Sequence, residues 1–216
     1  MDELVLAAMK RWPDVPDVYG WLSLNEHGRW HLHPAGNASD GDRGETISNP
    51  QILRFIDQNY ACDPLGRWFF QNGPQRVYVR LDAAPFIVHT EGPGTERLFT
   101  HNGLAVSHID TMLLDETGRL YLNTDLGPAL VAGRDAPQLF EALKDADGRP
   151  FIEQLAGQAH TQEDAALDAW LPPIKPGSLL PVHISFSSCL DAQIPERLGF
   201  VRTPSPTDTA ANLDIE

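Results

Sequence analysis

Leu22-Ser23-Leu24-Asn25-Glu26-His27-Gly28-Arg29-Trp30-His31-Leu32 and Met112-Leu113-Leu114-Asp115-Glu116-Thr117-Gly118-Arg119-Leu120-Tyr121-Leu122 carry the same device twice. In each, an Asn or Asp is followed by two residues and then Gly-Arg. Asn or Asp at the first turn position folds its side chain back onto the backbone, and glycine supplies the left-handed residue that returns the chain. Leu22, Leu24, Trp30 and Leu32 stand at the same offsets from the first turn as Met112, Leu114, Leu120 and Leu122 from the second. Alternation at period two puts each set on one face of a hairpin. Both stretches therefore read as two-stranded ribbons with one buried side.

The turn motif recurs at Asp63–Arg67 and Asp145–Arg149, and each of these copies follows a helix signal. Asn49-Pro50-Gln51-Ile52 offers an N-cap and a proline at the first helical position, with Ile52, Phe55, Ile56 and Tyr60 at helical spacing behind it. Asp135-Ala136-Pro137-Gln138-Leu139 opens the other, where Asp135 and Gln138 are placed for a capping box and Leu139 and Leu143 match Ile52 and Ile56. The order hairpin, helix, turn thus occurs twice, which predicts a duplication.

The most strand-like sequence lies between the repeats. Trp68-Phe69-Phe70 leads into the Asn72-Gly73 turn, and Arg76-Val77-Tyr78-Val79-Arg80-Leu81 alternates cleanly. Phe86-Ile87-Val88, a Gly-Pro-Gly turn at 92–94, Leu98-Phe99 and Leu104-Ala105-Val106 around Asn102-Gly103 extend this into an antiparallel meander. The expected class is α+β: two related β-hairpin-plus-helix units around an antiparallel β-meander. Residues 1–92 would hold the first unit, an N-terminal helix and the start of the meander, and 93–157 the second unit. Residues 158–202 read as a C-terminal extension packing on the core, with a short helix over Glu163–Trp170 and a strand over Leu180–Phe186. The Pro, Ser, Thr and Asp of 203–216 read as a mobile tail, and Pro34–Thr46 as a flexible loop within the first unit.

Across 216 residues the net charge is −14, with 16 basic residues, a field that repels nucleic acid and anionic lipid. Two cysteines, Cys62 and Cys189, are too few for a disulfide framework and read as reduced thiols of a cytoplasmic protein. The N-terminal segment Met1-Asp2-Glu3-Leu4-Val5-Leu6 starts acidic where an export signal starts basic. No run approaches the ~20 apolar residues that a bilayer demands, so no membrane insertion is expected.

Gly20-Trp21-Leu22, Asn59-Tyr60 and the run from Gly66-Arg67-Trp68-Phe69-Phe70-Gln71-Asn72-Gly73-Pro74 to Gln75-Arg76-Val77-Tyr78-Val79 resemble an uncharacterised family of proteobacterial proteins. More distantly, Gly66-Arg67, the alternating Val77, Val79 and Leu81, Ala84-Pro85-Phe86 and Gly148-Arg149-Pro150-Phe151 resemble a bacterial family of unknown function with two repeat-related domains, for which a role in signal transduction has been suggested. The resemblance covers roughly residues 17–155 and implies an internally repeated α+β fold. It carries no catalytic residue across, and the chain after residue 157 departs from the second family's pattern.

Arg76, Tyr78 and Arg80 fall on one face of their strand, opposite Val77, Val79 and Leu81. In a chain poor in cations, two guanidiniums flanking a phenol make a candidate receptor for a small anion. The competing reading is a solvated face paired with local carboxylates. His31 and His33 could ligate zinc from one strand face, but no Cys or carboxylate pairs with them, and Tyr121 and Asn123 replace them in the second unit. His27, His89, His101, His108, His160 and His183 are scattered, and the Ser185, Ser187, Ser188, Cys189 run lacks the glycine pattern of a nucleophile elbow. Asp40-Gly41-Asp42 and Asp147-Gly148 lack the glutamate-terminated series of a calcium loop. No phosphate-binding glycine motif is present, and no catalytic residue, metal or cofactor is expected. The preferred reading is a non-catalytic ligand-binding or regulatory module, whose partner is a small molecule or another protein. Its rivals are an enzyme, such as a His-based hydrolase whose polar groups converge only in three dimensions, and a structural interaction protein. The anion reading predicts that the double variant Arg76→Ala/Arg80→Ala loses binding of an anionic ligand; unchanged affinity in a calorimetric titration overturns it.

Overall fold

The computed structural model describes residues 3–91, 97–158, 166–173 and 181–207. The chain forms two compact units, Met1–Ala83 with Gly199–Glu216, and Ala84–Leu198.

The first unit begins with helix α1 (Glu3–Arg11), then strands β1 (Val18–Leu24), β2 (Trp30–Leu32) and β3 (Glu45–Thr46), helix α2 (Pro50–Gln58), and strands β4 (Tyr60–Cys62), β5 (Trp68–Asn72) and β6 (Gln75–Leu81). Its six strands lie in the order β3-β2-β1-β6-β5-β4, parallel where β1 meets β6 and antiparallel elsewhere. The N-cap of α2 forms as expected, with Asn49 Oδ1 accepting from the Gln51 and Ile52 amides at 2.8 and 3.4 Å.

The second unit holds β7 (Phe86–Thr90), β8 (Leu98–Thr100), β9 (Ile109–Leu114), β10 (Leu120–Thr124), β11 (Gly127–Val131), α3 (Ala136–Ala142), α4 (Phe151–Gln158), β12 (Leu167–Leu171), β13 (Val182–Ser188) and α5 (Ile194–Leu198). Its seven strands run β12-β13-β9-β10-β11-β7-β8. Within that order β11-β10-β9-β13-β12 repeats β3-β2-β1-β6-β5, down to the single parallel junction, here between β9 and β13. Lys144, bridged to Trp170 of β12, stands where β4 stands in the first unit.

The hairpin registers coincide as well. Leu22 faces Leu32 and Leu24 faces Trp30, while Met112 faces Leu122 and Leu114 faces Leu120. All four Asx-x-x-Gly-Arg segments close the same way. The Asx amide donates to the Arg carbonyl and the Gly amide to the Asx carbonyl, at 2.9–3.1 Å. The Asx Oδ1 accepts two further amides, two and four residues on, at 2.8–3.1 Å. In the three aspartate copies Oδ2 takes the Arg Nε at 2.8–2.9 Å, a bond that Asn25 cannot offer.

Several expectations are revised. The α+β class holds, but β6 and β7, expected as neighbours in one meander, belong to different sheets, each beside a parallel partner. Pairing, not sequence adjacency, divides the chain, which places the break after Ala83. The described part of the expected 163–170 helix is strand β12, whose burial alternates from Asp168 to Leu171 as a strand's does. Residues 182–188 are likewise no appended extension, because β13 pairs with β9 inside the sheet. Asp135 caps no helix with its side chain, since Oδ2 accepts from the Thr90 amide at 3.2 Å instead. Of the expected tail, 203–207 is described and lies on the first unit: Leu81 N–H donates to Arg202 O at 2.8 Å and Pro204 is buried. Residues 208–216 lie outside the described residues.

Burial raises the pKa of Asp115, but the hydrogen bonds from Arg119 and Thr117 outweigh it and leave the carboxyl below its ordinary range; Asp63 and Asp145 behave alike with their own arginines. A depressed folded-state pKa stabilises above the unfolded value, and that contribution disappears as pH falls through the folded one. Denaturant midpoints are therefore expected to drop as pH falls below about 4, the ordinary range of an aspartate in the unfolded chain. Asp115→Ala, which leaves several donors unpaired around a fully enclosed carboxylate, is expected to cost about 2–3 kcal/mol at neutral pH and to flatten that drop. Equal midpoints for variant and parent would contradict the assignment.

Candidate functional site

The apolar face of the first unit's sheet does not close over completely. Val18, Leu22, Leu32, Phe70 and Val77 from four strands meet Ile52 and Ile56 of α2, with Ile47 and Trp21 beside them, around a cavity of about 510 Å³. Asn72 and Gln75 complete the wall, and among the described residues no lining side chain is charged. Leu32, Trp21 and Ile52 are 41%, 45% and 49% exposed, although Leu24, Val79 and Ile56 next to them are buried. In the second unit the corresponding Leu122 and Leu139 are both 0% exposed, as are Met112 and Leu143. One copy of the repeat is sealed and the other is open.

The open wall owes part of its shape to an irregularity in β1. Between the pairs Val18–Val77 and Leu22–Val79, β1 advances four residues while β6 advances two. Gly20 takes φ +79° in this bulge, and a Cβ there would sit 2.3 Å from Gly36 O. Any side chain would collide with backbone. The bulge turns Trp21 towards the cavity, and its indole lies against Gly36.

Gly36 belongs to the 34–44 segment, and the polar face of the sheet holds that segment down. His33, 0% exposed, lies between Ser23 and Asp42: Nε2 is 2.8 Å from Ser23 Oγ and Nδ1 is 3.1 Å from Asp42 Oδ2. A carboxylate only accepts, so Nδ1–H donates to Asp42, and in the neutral imidazole Nε2 accepts from Ser23 O–H. The order Ser-His-Asp is that of a nucleophilic triad. Ser23, however, is 1% exposed at the centre of the sheet, where no substrate carbonyl reaches its hydroxyl. The chain of bonds is a fastening. Arg80 Nη2 reaches Asp42 O at 3.4 Å, and Gly44, at φ +65°, leaves room for the imidazole that any Cβ there would strike. The segment expected to be flexible is tied at both ends.

Arg76, Tyr78 and Arg80 share this polar face, each with partners of its own. Arg76 lies over the Phe69 ring at 4.8 Å, and Arg80 pairs with Asp82 at 3.0 Å. Tyr78 is buried, stacked on Tyr19 at 4.7 Å, with its hydroxyl donating to Asp63 Oδ2 at 2.9 Å and accepting from Arg67 Nη2 at 3.1 Å. Burial, reinforced by Asp63, pushes this phenol up to about 12. The alternation of β6 was legible in sequence, but the Asp63–Arg67–Tyr78 bonds, 15 residues apart at their ends, were not.

Among the described residues the histidines do not gather into one site. Asn25 Nδ2 donates to His31 Nε2 at 3.1 Å, and burial lowers the His31 pKa. His101, whose Nδ1 accepts from the Ile87 amide at 3.3 Å, is pushed down to about 4 by burial, with His89 adding to the effect. His108 and His183 pair with Asp110 and Asp168 on the surface, and His160 lies outside the described residues. Among the described residues no three His, Cys, Asp or Glu are grouped to hold a metal ion. Cys189 lines a second-unit cavity of about 470 Å³ whose lining residues, Asp115 and Glu116 among them, include no histidine. No helix among the described residues is long and apolar enough to cross a membrane.

The model of a family described as a protein of unknown function (DUF2946) matches residues 1–205. The chain belongs to that family. Its fold is similar to that of a DUF1285 family protein from Silicibacter pomeroyi DSS-3, at 18% identity and TM-score 0.47 over 84% of this chain and 95% of that one. A DUF1285 family protein from Shewanella baltica OS155 is similar at 15% identity and TM-score 0.39, over 54% of this chain and 87% of that one. No curated protein matches.

His33→Ala removes both bonds of the fastening and empties a fully buried site, so it is expected to cost about 2–4 kcal/mol and to open 34–44 to limited proteolysis. Asp42→Ala, at a half-exposed partner, is expected to lower the midpoint less than His33→Ala does. A reversed order of the two midpoints would refute the tether.

Proposed function

We propose that this DUF2946 family member is a non-catalytic, cytoplasmic ligand-binding module of a regulatory, signal-transduction-like kind, and that the first unit's cavity takes a small apolar molecule. The observation that carries this reading is the asymmetry of the duplication. The second unit buries Leu122 and Leu139 completely, so the fold is able to seal this site, while Leu32, Ile52 and Trp21 in the first unit stay uncovered around about 510 Å³. That volume falls within the range of small-molecule pockets, roughly 300–1,000 Å³. Uncovered apolar surface costs stability in water, roughly 25 cal/mol per Å², and a ligand recovers it. Among the described residues the wall offers no titratable side chain to move a proton, which favours binding over turnover.

The uncharged fluorophore N-phenyl-1-naphthylamine, titrated into the full chain, is expected to bind at one site with enhanced emission. Ile52→Glu puts an unpaired carboxylate on a surface-accessible wall position and is expected to weaken binding at least about tenfold with little change in the thermal midpoint. No enhancement with the parent protein, or equal binding by the variant, would sink this reading.

A further inference from the structure

The cavity wall also says which end of a ligand goes where, and we infer that its ligand is an uncharged amphiphile: an apolar body with a hydroxyl, amide or carbonyl at one end. This inference rests on the cavity being a binding site. Among the described residues that line it, Asn72 and Gln75 are the only ones with a side-chain amide. They stand directly opposite each other in the β5–β6 register, next to the Gly73-Pro74 turn, so their amides share one face and mark one end of the cavity. Gln75 Nε2 donates to Pro16 O at 3.2 Å, which holds the side chain in place and leaves its carbonyl oxygen as an acceptor. Asn72 is exposed and brings a second amide alongside. A primary amide both donates and accepts, so the pair suits a neutral polar group of either sense.

Charge excludes the alternatives. A carboxylate or phosphate head would meet no cation in the wall and would enter against a chain of net charge −14. An ammonium head gains from that field at long range but finds no carboxylate among the lining residues, and desolvating it unpaired is costly. Arg76 and Arg80 belong to the opposite face of the sheet, Arg76 over the Phe69 ring and Arg80 paired with Asp82. The apolar end has the exposed Trp21, Leu32 and Ile52 to cover, which suits a medium-length chain or a flat ring system.

The test is displacement of N-phenyl-1-naphthylamine from the full chain by decan-1-ol, decanoate and decylammonium, each below the concentration at which it aggregates. Decan-1-ol is expected to displace the dye at least about tenfold more effectively than either ion. The double variant Asn72→Leu/Gln75→Leu is expected to lose about tenfold in decan-1-ol affinity while its dye affinity stays within about threefold, the dye serving as the control for folding. Equal displacement by the alcohol and either ion overturns the charge argument. Undiminished decan-1-ol binding by the double variant overturns the role of the two amides. If the dye does not bind the parent protein at all, the cavity itself is no ligand site, a failure distinct from both.

Discussion

A single side chain per turn, the Asx that opens each Asx-x-x-Gly-Arg segment, satisfies backbone groups that would otherwise have no partner at a tight reversal. Its Oδ1 accepts two amides in every copy, and where it is aspartate its Oδ2 also binds the arginine that ends the turn. The turn fixes the hairpin register, and register decides which side chains reach the core. A slip of one residue would carry Leu22, Leu24 and Trp30 to the polar face, so both sheets depend on this short-range bonding. The arginines then extend it: Arg67 reaches Tyr78, and Arg119 reaches Asp191 at 2.8 Å.

The first unit's sheet separates two kinds of surface with different consequences. On one side Ser23, His33, Asp63, Arg67 and Tyr78 are buried or nearly so, and satisfied through hydrogen bonds with defined directions. Such groups are costly when unpaired, so they hold one arrangement and rigidify what they touch. On the other side the contacts are apolar and non-directional, and there the surface stays open. The bulge at Gly20 and Trp21 joins the two, since Gly36 of the fastened segment packs on both residues. A rigid polar face thereby shapes an apolar wall.

Duplication supplies an internal control for this interpretation. Both units use the same strand order and the same hairpin register, yet Leu122 and Leu139 are enclosed where Leu32 and Ile52 are not. The difference is thus a property of each copy's own side chains and additions. The second unit adds β7 and β8 beyond β11 and places α4 after its last turn, whereas in the first unit β3 is two residues long and ends the sheet.

Four turns, two hairpins in matching register, the capped helix α2, and hence an α+β fold with a repeat are all legible along the chain, because each rests on bonds between residues a few positions apart. It also placed Arg76, Tyr78 and Arg80 on one strand face, a consequence of period two alone. Tertiary structure decided what depends on distant partners: the parallel pairing of β1 with β6 and β9 with β13, the assignment of β6 and β7 to different sheets, the enclosure of His33 between Ser23 and Asp42, and the open cavity. A parallel pair leaves no turn between its strands to announce it, and a cavity is defined by side chains that are absent from a position as much as by those present. Neither has a signature in the order of residues along the chain.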